Sequence, residues 1–354
     1  MGDKLQDFDY ELPKELVASY PAPKRSEARL LVLDRSSARR EHRIFKDIAD
    51  YLKPGDLLVL NNTKVLPARI FGKKPTGGKV EGLLLKNLEG PVWEVLMKPN
   101  GRVKKGTRIL FGENGIRLEG EILDESNGTS GIRKISFEDK NFRAKLAAIG
   151  RIPLPPYINR PDEASDRELY QTVFAEKEGA VASPTAGLHF DDELLKVLRK
   201  KGVEICYVTL HVSYGTFRSV QTEDFSKHEM YEEEFEVTEE AARQIERALK
   251  ERRRIVACGT TVVRVLETIA NPLTLPSPPK GERVGVRGTT RLFIYPPYEF
   301  KIVDALITNF HLPRTTLLML VSAFAGRERV LEAYREAVKE RYRFYSYGDA
   351  LLIL

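Results

Sequence analysis

The sequence predicts an α/β protein interrupted by a small antiparallel β module, and three features carry that prediction. Short apolar runs alternate with helix-periodic segments over the first seventy residues. Between Phe71 and Ala147 the texture changes to brief, partly alternating runs separated by turn residues. After Pro153-Leu-Pro-Pro-Tyr157 the strand-and-helix rhythm returns. The expected organisation is therefore a major domain from residues 1–70 plus 148–354, with residues 71–147 inserted as an antiparallel barrel or sandwich.

Each element has its own signal. Arg29-Leu-Leu-Val-Leu-Asp34 reads as a buried strand, and Phe45, Ile48, Ala49 and Leu52 fall at helical spacing before Pro54-Gly55. Leu57-Leu-Val-Leu60 is a second strand, ending in the polar loop Asn61-Asn-Thr-Lys64. Within the module, strands are expected over Val80–Leu85, Trp93–Met97, Arg108–Phe111, Ile116–Leu123 and Ile132–Phe137. Gly77-Gly78, Asn100-Gly101 and Asn127-Gly128 supply turns between them. Beyond the module, a helix is expected over Asp192–Lys200, stopped by Gly202, then a strand over Val203–Val212. That strand is nearly all apolar, as when both faces are covered. Thr238 caps a helix over Glu239–Arg252, with acids at its start and arginines at its end, as the helix dipole favours. Ile255–Cys258 is the next strand, and Gly259-Thr-Thr261 leads into a helix carrying Arg264 and Glu267. Residues 271–288, rich in proline and glycine, read as a surface insertion without a packed element.

Bulk composition excludes little. Of the 354 residues, 42% are hydrophobic and 31% charged, as in ordinary globular proteins. No apolar run reaches membrane-spanning length, and the first residues do not read as a secretory signal. Cys206 and Cys258 each lie in an apolar run, which suggests reduced, packed thiols in the cytoplasm. A net charge of +6 permits a polyanionic partner without requiring one.

Two junctions stand out. Ser183-Pro-Thr-Ala-Gly-Leu-His189-Phe190 places a hydroxyl, two bending residues and an imidazole between a strand-like run and a helix. Ile307-Thr-Asn-Phe-His311-Leu-Pro-Arg-Thr315 repeats that arrangement. In open α/β sheets ligands bind where strands hand over to helices, because amide ends and loop side chains converge there. His211, at the end of the long strand, belongs to the same rim if that strand is parallel to its neighbours. His228 sits in an acidic segment that reads as a solvated loop. The histidines lack metal-ligand spacing, and no local Cys/His cluster accompanies them, so a metal is not expected. Gly259-Thr-Thr-Val-Val-Arg264 lacks a full phosphate-loop fingerprint, yet its hydroxyls and amides can hold a ribose or carboxylate. Arg264 is a candidate partner for an anionic ligand group, or for Glu267 or another helix. Arg160, Arg167 and Tyr170 mix arginine with an aromatic, a pattern suited to nucleic acid or to a solvated helix face.

Several collinear segments carry a resemblance. They include Asp7-Phe-Asp-Tyr-Glu-Leu-Pro13, Pro54-Gly-Asp-Leu-Leu-Val-Leu-Asn61, Ile152-Pro-Leu-Pro-Pro-Tyr157, Pro184-Thr-Ala-Gly-Leu-His-Phe190, Val208-Thr-Leu-His-Val212 and Asp304-Ala-Leu-Ile-Thr-Asn-Phe-His-Leu-Pro313. Together they resemble the S-adenosylmethionine:tRNA ribosyltransferase-isomerases of queuosine biosynthesis over nearly the whole chain. The resemblance implies an α/β-barrel-like major domain with an inserted small antiparallel β-barrel, in a monomeric cytoplasmic enzyme. It implies that S-adenosylmethionine is consumed as ribosyl donor, with no separate cofactor. The acceptor is 7-aminomethyl-7-deazaguanine at the tRNA wobble position, and the products are epoxyqueuosine-tRNA, adenine and methionine. In that chemistry His189, His211 and His311 are candidate proton-transfer or orienting groups, and Glu233 is a candidate base. Thr185, Gly187, Thr260, Thr261, Arg264 and Asn309 are candidates for holding the sulfonium substrate, and Arg160, Arg167 and Tyr170 for contacting tRNA. Two rivals are a methyltransferase using the same donor, though its usual glycine-rich loop is missing, and a non-catalytic tRNA-binding protein.

Overall fold

A computed structural model describes residues 4–99, 103–113, 115–124, 131–213, 224–228, 230–270 and 285–354. The strands are β1 (Arg29–Leu33), β2 (Arg40–Ile44), β3 (Leu57–Asn61), β4 (Thr63–Val65), β5 (Arg69–Lys73), β6 (Lys79–Glu89), β7 (Val92–Lys98), β8 (Arg108–Phe111) and β9 (Leu118–Ile122). They continue with β10 (Ile132–Ser136), β11 (Lys177–Ala180), β12 (Glu204–Leu210), β13 (Glu233–Val237), β14 (Ile255–Cys258), β15 (Val286–Thr290), β16 (Ala305–Asn309) and β17 (Ala350–Ile353). The helices are α1 (Ile48–Tyr51), α2 (Phe142–Ile149), α3 (Asp166–Leu169), α4 (Asp192–Lys200), α5 (Glu239–Lys250), α6 (Thr260–Ile269), α7 (Thr316–Ala325) and α8 (Arg327–Lys339).

A nine-stranded mixed sheet forms the major body, in the order β15-β13-β12-β3-β14-β16-β17-β1-β2. Its centre, β12-β3-β14-β16, is parallel throughout. Strands covered on both faces should be apolar at every position, and every residue of β3, β14 and β16 is buried. Alternate residues serve opposite layers. Leu57, Val59, Ile255, Ala257 and Leu306 pack with α5 to α8, while Leu58, Leu60, Val256 and Ile307 pack with Phe45, Phe190 and the apolar face of α4. Because the four strands share one direction, their C-terminal ends meet at one rim.

The inserted module is a closed antiparallel barrel of β10-β7-β6-β5-β8-β9. Alternation along each strand fills its interior with residues such as Ile70, Val95, Ile109, Phe111 and Ile135. The α/β class and the antiparallel barrel inserted within it are therefore both present. Helices α4 and α5 lie where caps and periodicity put them. Asp191 accepts the Leu194 N–H and Thr238 accepts the Ala241 N–H.

Three local expectations need correction. The periodic segment from Phe45 to Leu52 is a 3-10 turn followed by the single-turn α1, because Pro54-Gly55 leaves no room for more. The run before Ser183 becomes β11, which pairs with β4 in a separate two-stranded sheet and not at the edge of the main one. Of the proline- and glycine-rich stretch 271–288, residues 271–284 lie outside the described residues. Residues from Val286, however, form β15, held by backbone pairing to β13 instead of by core side chains. Cys206 and Cys258 are both buried and unpaired, and burial pushes the Cys206 thiol up to about 12.

Glu267 closes α6 against the segment before β16. Its buried carboxylate accepts the backbone N–H groups of Lys301 (2.9 Å), Ile302 (3.1 Å) and Val303 (3.2 Å). Removing the acceptor leaves three donors without a partner. Glu267→Ala should therefore cost roughly 3 kcal/mol or more, read as a lower urea midpoint at unchanged slope.

Candidate active site

The rim is organised by two asparagines that end parallel strands. Asn61, the last residue of β3, accepts the N–H groups of Thr63 and Leu210 (3.1 Å each) through Oδ1. Its Nδ2 donates to the Leu210 carbonyl (3.0 Å) and to Thr261 Oγ1 (3.3 Å) at the start of α6. Asn309, the last residue of β16, accepts the Thr185 hydroxyl (3.0 Å) and donates to the Tyr345 carbonyl (3.1 Å). Its Nδ2 also faces His189 Nε2 at 3.2 Å, so that ring nitrogen is the acceptor.

Around these amides lies a cavity of about 60 Å³, walled by Ser183, Thr185, Thr260, Thr261, Asn309 and His311. His311 Nε2 is 2.8 Å from Thr308 Oγ1, and its backbone is pinned on both sides: the carbonyl accepts the Tyr10 hydroxyl, and the N–H donates to Tyr334. Burial pushes the His311 imidazole down to about 3 and that of His189 down to about 4. Both are therefore neutral at physiological pH.

A second cavity, of about 300 Å³, opens between the barrel and the rim. Leu85, Trp93 and Leu96 supply its barrel wall, and His211, Ser213 and Glu233 face them. Val212 borders both cavities, so they adjoin. His211 Nδ1 contacts Thr63 Oγ1 at 2.8 Å, and burial lowers its pKa. Its ring lies flat against Gly179, where an added Cβ would come within 2.7 Å of the imidazole. Only glycine allows this approach.

Of the residues singled out in the sequence, Thr185, Thr260, Thr261, Asn309 and His311 line the small cavity, and His211 and Glu233 line the large one. His189 stands one hydrogen bond behind, packed on Phe45 with ring centroids 4.9 Å apart. Gly187 faces away, against Thr172 and Phe174. Arg264 is directed away from any ligand: it pairs with the Glu233 carboxylate and donates to the carbonyls of Leu292 (3.0 Å) and Thr290 (3.3 Å). Glu233 accepts the Ser213 N–H (2.8 Å) with its other oxygen. The carboxylate thus serves as a buried counter-ion and loop anchor in place of an open base.

The proposed tRNA contacts are also engaged internally. Arg160 makes a two-pronged pair with Asp166 (2.7 and 2.8 Å), Arg167 donates to the carbonyls of Ala147 (2.9 Å) and Gly150 (2.6 Å), and Tyr170 is fully buried. These hydrogen bonds brace the chain around α3, with the Arg160 side chain largely covered and Arg167 exposed at the surface. His228 packs edge-on to Phe293. Motif reading passed over Asn61, Trp93 and Ser183. Ser183 is the clearest omission, since its buried hydroxyl has no hydrogen-bond partner among the described residues and it lines the small cavity. Its place at the head of the first junction was the available signal. Among the described residues no three His, Cys, Asp or Glu side chains converge as a metal-ligand set, and no helix is long and apolar enough to cross a membrane.

Comparison with known proteins agrees with this architecture. The family model for queuosine biosynthesis proteins matches residues 5–353. The S-adenosylmethionine:tRNA ribosyltransferase-isomerase of Sulfurihydrogenibium sp. is 52% identical over 352 residues, covering 99% of this chain and 100% of that protein. The protein of the same name from Thermotoga maritima is 52% identical over 351 residues, with the same coverage. The crystal structure of the S-adenosylmethionine tRNA ribosyltransferase from Thermotoga maritima aligns with a TM-score of 0.55 at 43% identity, covering 98% of this chain and 100% of that one.

The two buried imidazoles set a pH dependence. Their folded pKa values lie below the unfolded value near 6.5, so below that point the unfolded chain binds protons that the native one does not. Stability is complete above about pH 6.5 and falls as pH drops toward about 4 for His189 and about 3 for His311, by up to about 1.4 kcal/mol per pH unit for each. His311→Gln should flatten that acid limb in denaturant melts between those limits, while an unchanged limb would contradict the assignment.

Proposed function

This chain belongs to the queuosine biosynthesis family and is an enzyme of the S-adenosylmethionine:tRNA ribosyltransferase-isomerase class, and from that premise we propose its acceptor, products and proton-transfer group. The acceptor is 7-aminomethyl-7-deazaguanine at the tRNA wobble position. The products are epoxyqueuosine-tRNA, adenine and methionine. S-adenosylmethionine is the ribosyl donor, and the reaction as written needs no other cofactor.

The observation that carries this reading is the pair of adjoining cavities. One is walled by hydroxyls, an amide and a neutral imidazole, and the other by an aromatic and aliphatic barrel face. The first suits the polar groups of a nucleoside sulfonium. The second suits a nucleobase taken out of its stack, as enzymes that act on bases require. Thr185, Thr260, Thr261 and Asn309 orient the donor, with Ser183 adding a hydroxyl that has no partner among the described residues.

His211 is the proton-transfer group in this scheme. Its partner Thr63 lies 3.5 Å from the Lys177 carbonyl, to which its hydroxyl can donate. Thr63 then accepts from His211 Nδ1–H, which leaves Nε2 free to take a proton. The positive sulfur acidifies the adjacent ribose 5′ carbon, and Nε2 removes a proton there. The ring opens as the C–N bond to adenine breaks, and adenine leaves. The aminomethyl nitrogen then adds to C4′ of the opened chain, the carbanion this leaves at C5′ bonds to the C1′ aldehyde to close the carbocycle, and the C1′ oxygen displaces methionine from C5′ as the epoxide forms. His189 and His311 hold Asn309 and the β16 turn in place.

Incubation with S-adenosylmethionine and precursor tRNA should yield adenine, followed by chromatography, in step with the mass gain of the tRNA. S-adenosylhomocysteine in place of adenine would indicate methyl transfer, and no consumption of the donor would indicate a binding protein. His211→Gln should slow adenine release by about 100-fold or more at an unchanged melting temperature. Wild-type turnover would remove His211 from that role.

A further inference from the structure

We infer that the outer face of the barrel around Phe71 is the track along which the tRNA backbone lies when its wobble base enters the cleft. The inference rests on the tRNA reading above and names the surface that serves it. Charge is the first reason. Residues 69–136 contain thirteen Lys and Arg against eight Asp and Glu, so this segment carries an excess of five in a chain of net +6.

Three of those cations, Lys73, Lys79 and Arg117, line a groove of about 810 Å³ on strands β5, β6 and β8, together with Arg151, Glu113 and Phe71. Lys73 lies directly opposite Lys79 in the β5–β6 register. Like charges placed opposite each other destabilise a sheet, and a polyanion would relieve that cost. Lys73, Lys79 and Arg117 are exposed and have no carboxylate partner among the described residues. Arg151 is paired with Glu113 at 3.1 Å and lies 3.9 Å from Asp162.

The groove also offers a stacking surface. Phe71 is 42% exposed, with the guanidiniums of Arg151 and Arg69 at 5.2 and 5.9 Å from its ring centroid. Unpaired bases bind proteins by stacking on such aromatic and guanidinium planes while lysines track the phosphates. A membrane or an acidic protein segment would use the charge but has no comparable use for this flat, cation-flanked ring.

Finally, the groove connects to the cleft. A smaller hollow lined by Arg69, Lys98, Leu83 and Leu96 lies along the same barrel wall. It shares Leu96 with the cleft that holds His211, and Arg69 is bridged to Arg151 of the groove. A strand whose base sits against Trp93 can therefore continue past Lys98 and Arg69 onto Phe71 and the lysines.

The test compares the full-length protein with a Lys73→Glu/Lys79→Glu/Arg117→Glu variant and the matching triple alanine variant. Precursor-tRNA binding is followed by fluorescence anisotropy from about 50 to 200 mM salt. The charge-reversed variant should bind at least about tenfold more weakly, with a log–log salt slope shallower by about 2 to 3. The alanine variant should lie between the two, and Phe71→Ala should raise the KM for tRNA. Affinity for S-adenosylmethionine and kcat at saturating tRNA should not change. Wild-type affinity and salt slope in both triple variants would overturn the inference. A wild-type protein that binds precursor tRNA yet releases no adenine would instead overturn the proposed reaction, leaving the binding comparison to decide the surface.

Discussion

The rest of this structure depends on how its parallel strands end. A strand that stops inside a protein leaves backbone donors and acceptors that must be satisfied locally. Here two buried side-chain amides do so. Asn61 accepts from both Thr63 and Leu210 and returns a hydrogen bond to the Leu210 carbonyl, tying the end of β3 to the end of β12. Asn309 ties the end of β16 to the Tyr345 backbone and to Thr185. An amide can do this because it presents a donor and an acceptor on one rigid group. The strand ends can then separate enough to leave a polar cavity while every amide remains occupied. The walls of the site are thus set by the same bonds that close the sheet.

The second support is the buried pair of Glu233 and Arg264. Taking two charges out of water is costly, and attraction alone seldom offsets that cost. Additional hydrogen bonds make up the difference here. Arg264 donates to two carbonyls, one on the last residue of β15 and one just beyond it, and Glu233 accepts the Ser213 N–H. The pair thereby joins β13, α6 and the segment after β12 at the floor of the larger cavity. Glu267, one helical turn beyond Arg264, fixes the other side of α6 to the approach to β16. Helix α6 is held at both flanks, so Thr260 and Thr261 at its start keep their positions at the rim.

Much of this was legible in the sequence wherever the signal was local. Alternation gave the barrel strands, caps and periodicity gave α4 and α5, and the two hydroxyl-bend-imidazole junctions marked residues that do meet around one cavity. Partners distant in sequence were not legible. Nothing near Arg264 distinguishes Glu267, three residues away, from Glu233, which is the partner it takes across the fold. The cluster of Arg160, Arg167 and Tyr170 has the composition of a nucleic-acid surface. Composition does not reveal that Asp166 and two carbonyls already occupy its guanidiniums. Nor does periodicity distinguish a strand of the main sheet from β11, whose partner β4 is three residues long.

The three imidazoles at the rim separate by environment, and the division of work proposed for them follows that separation. His189 and His311 are almost wholly buried, each with a ring nitrogen hydrogen-bonded to a neighbour, Asn309 or Thr308. Charging either would place a cation in an apolar surrounding, as their depressed pKa values reflect. Such groups hold geometry well and exchange protons poorly. His211 is only partly buried, borders the open cleft, and rests on a glycine that lets the ring lie at its edge. A group that takes a proton from substrate and later gives it up needs contact with both substrate and solvent. Of the three, His211 alone borders the larger cleft, and Val212 beside it in the chain lines both cavities.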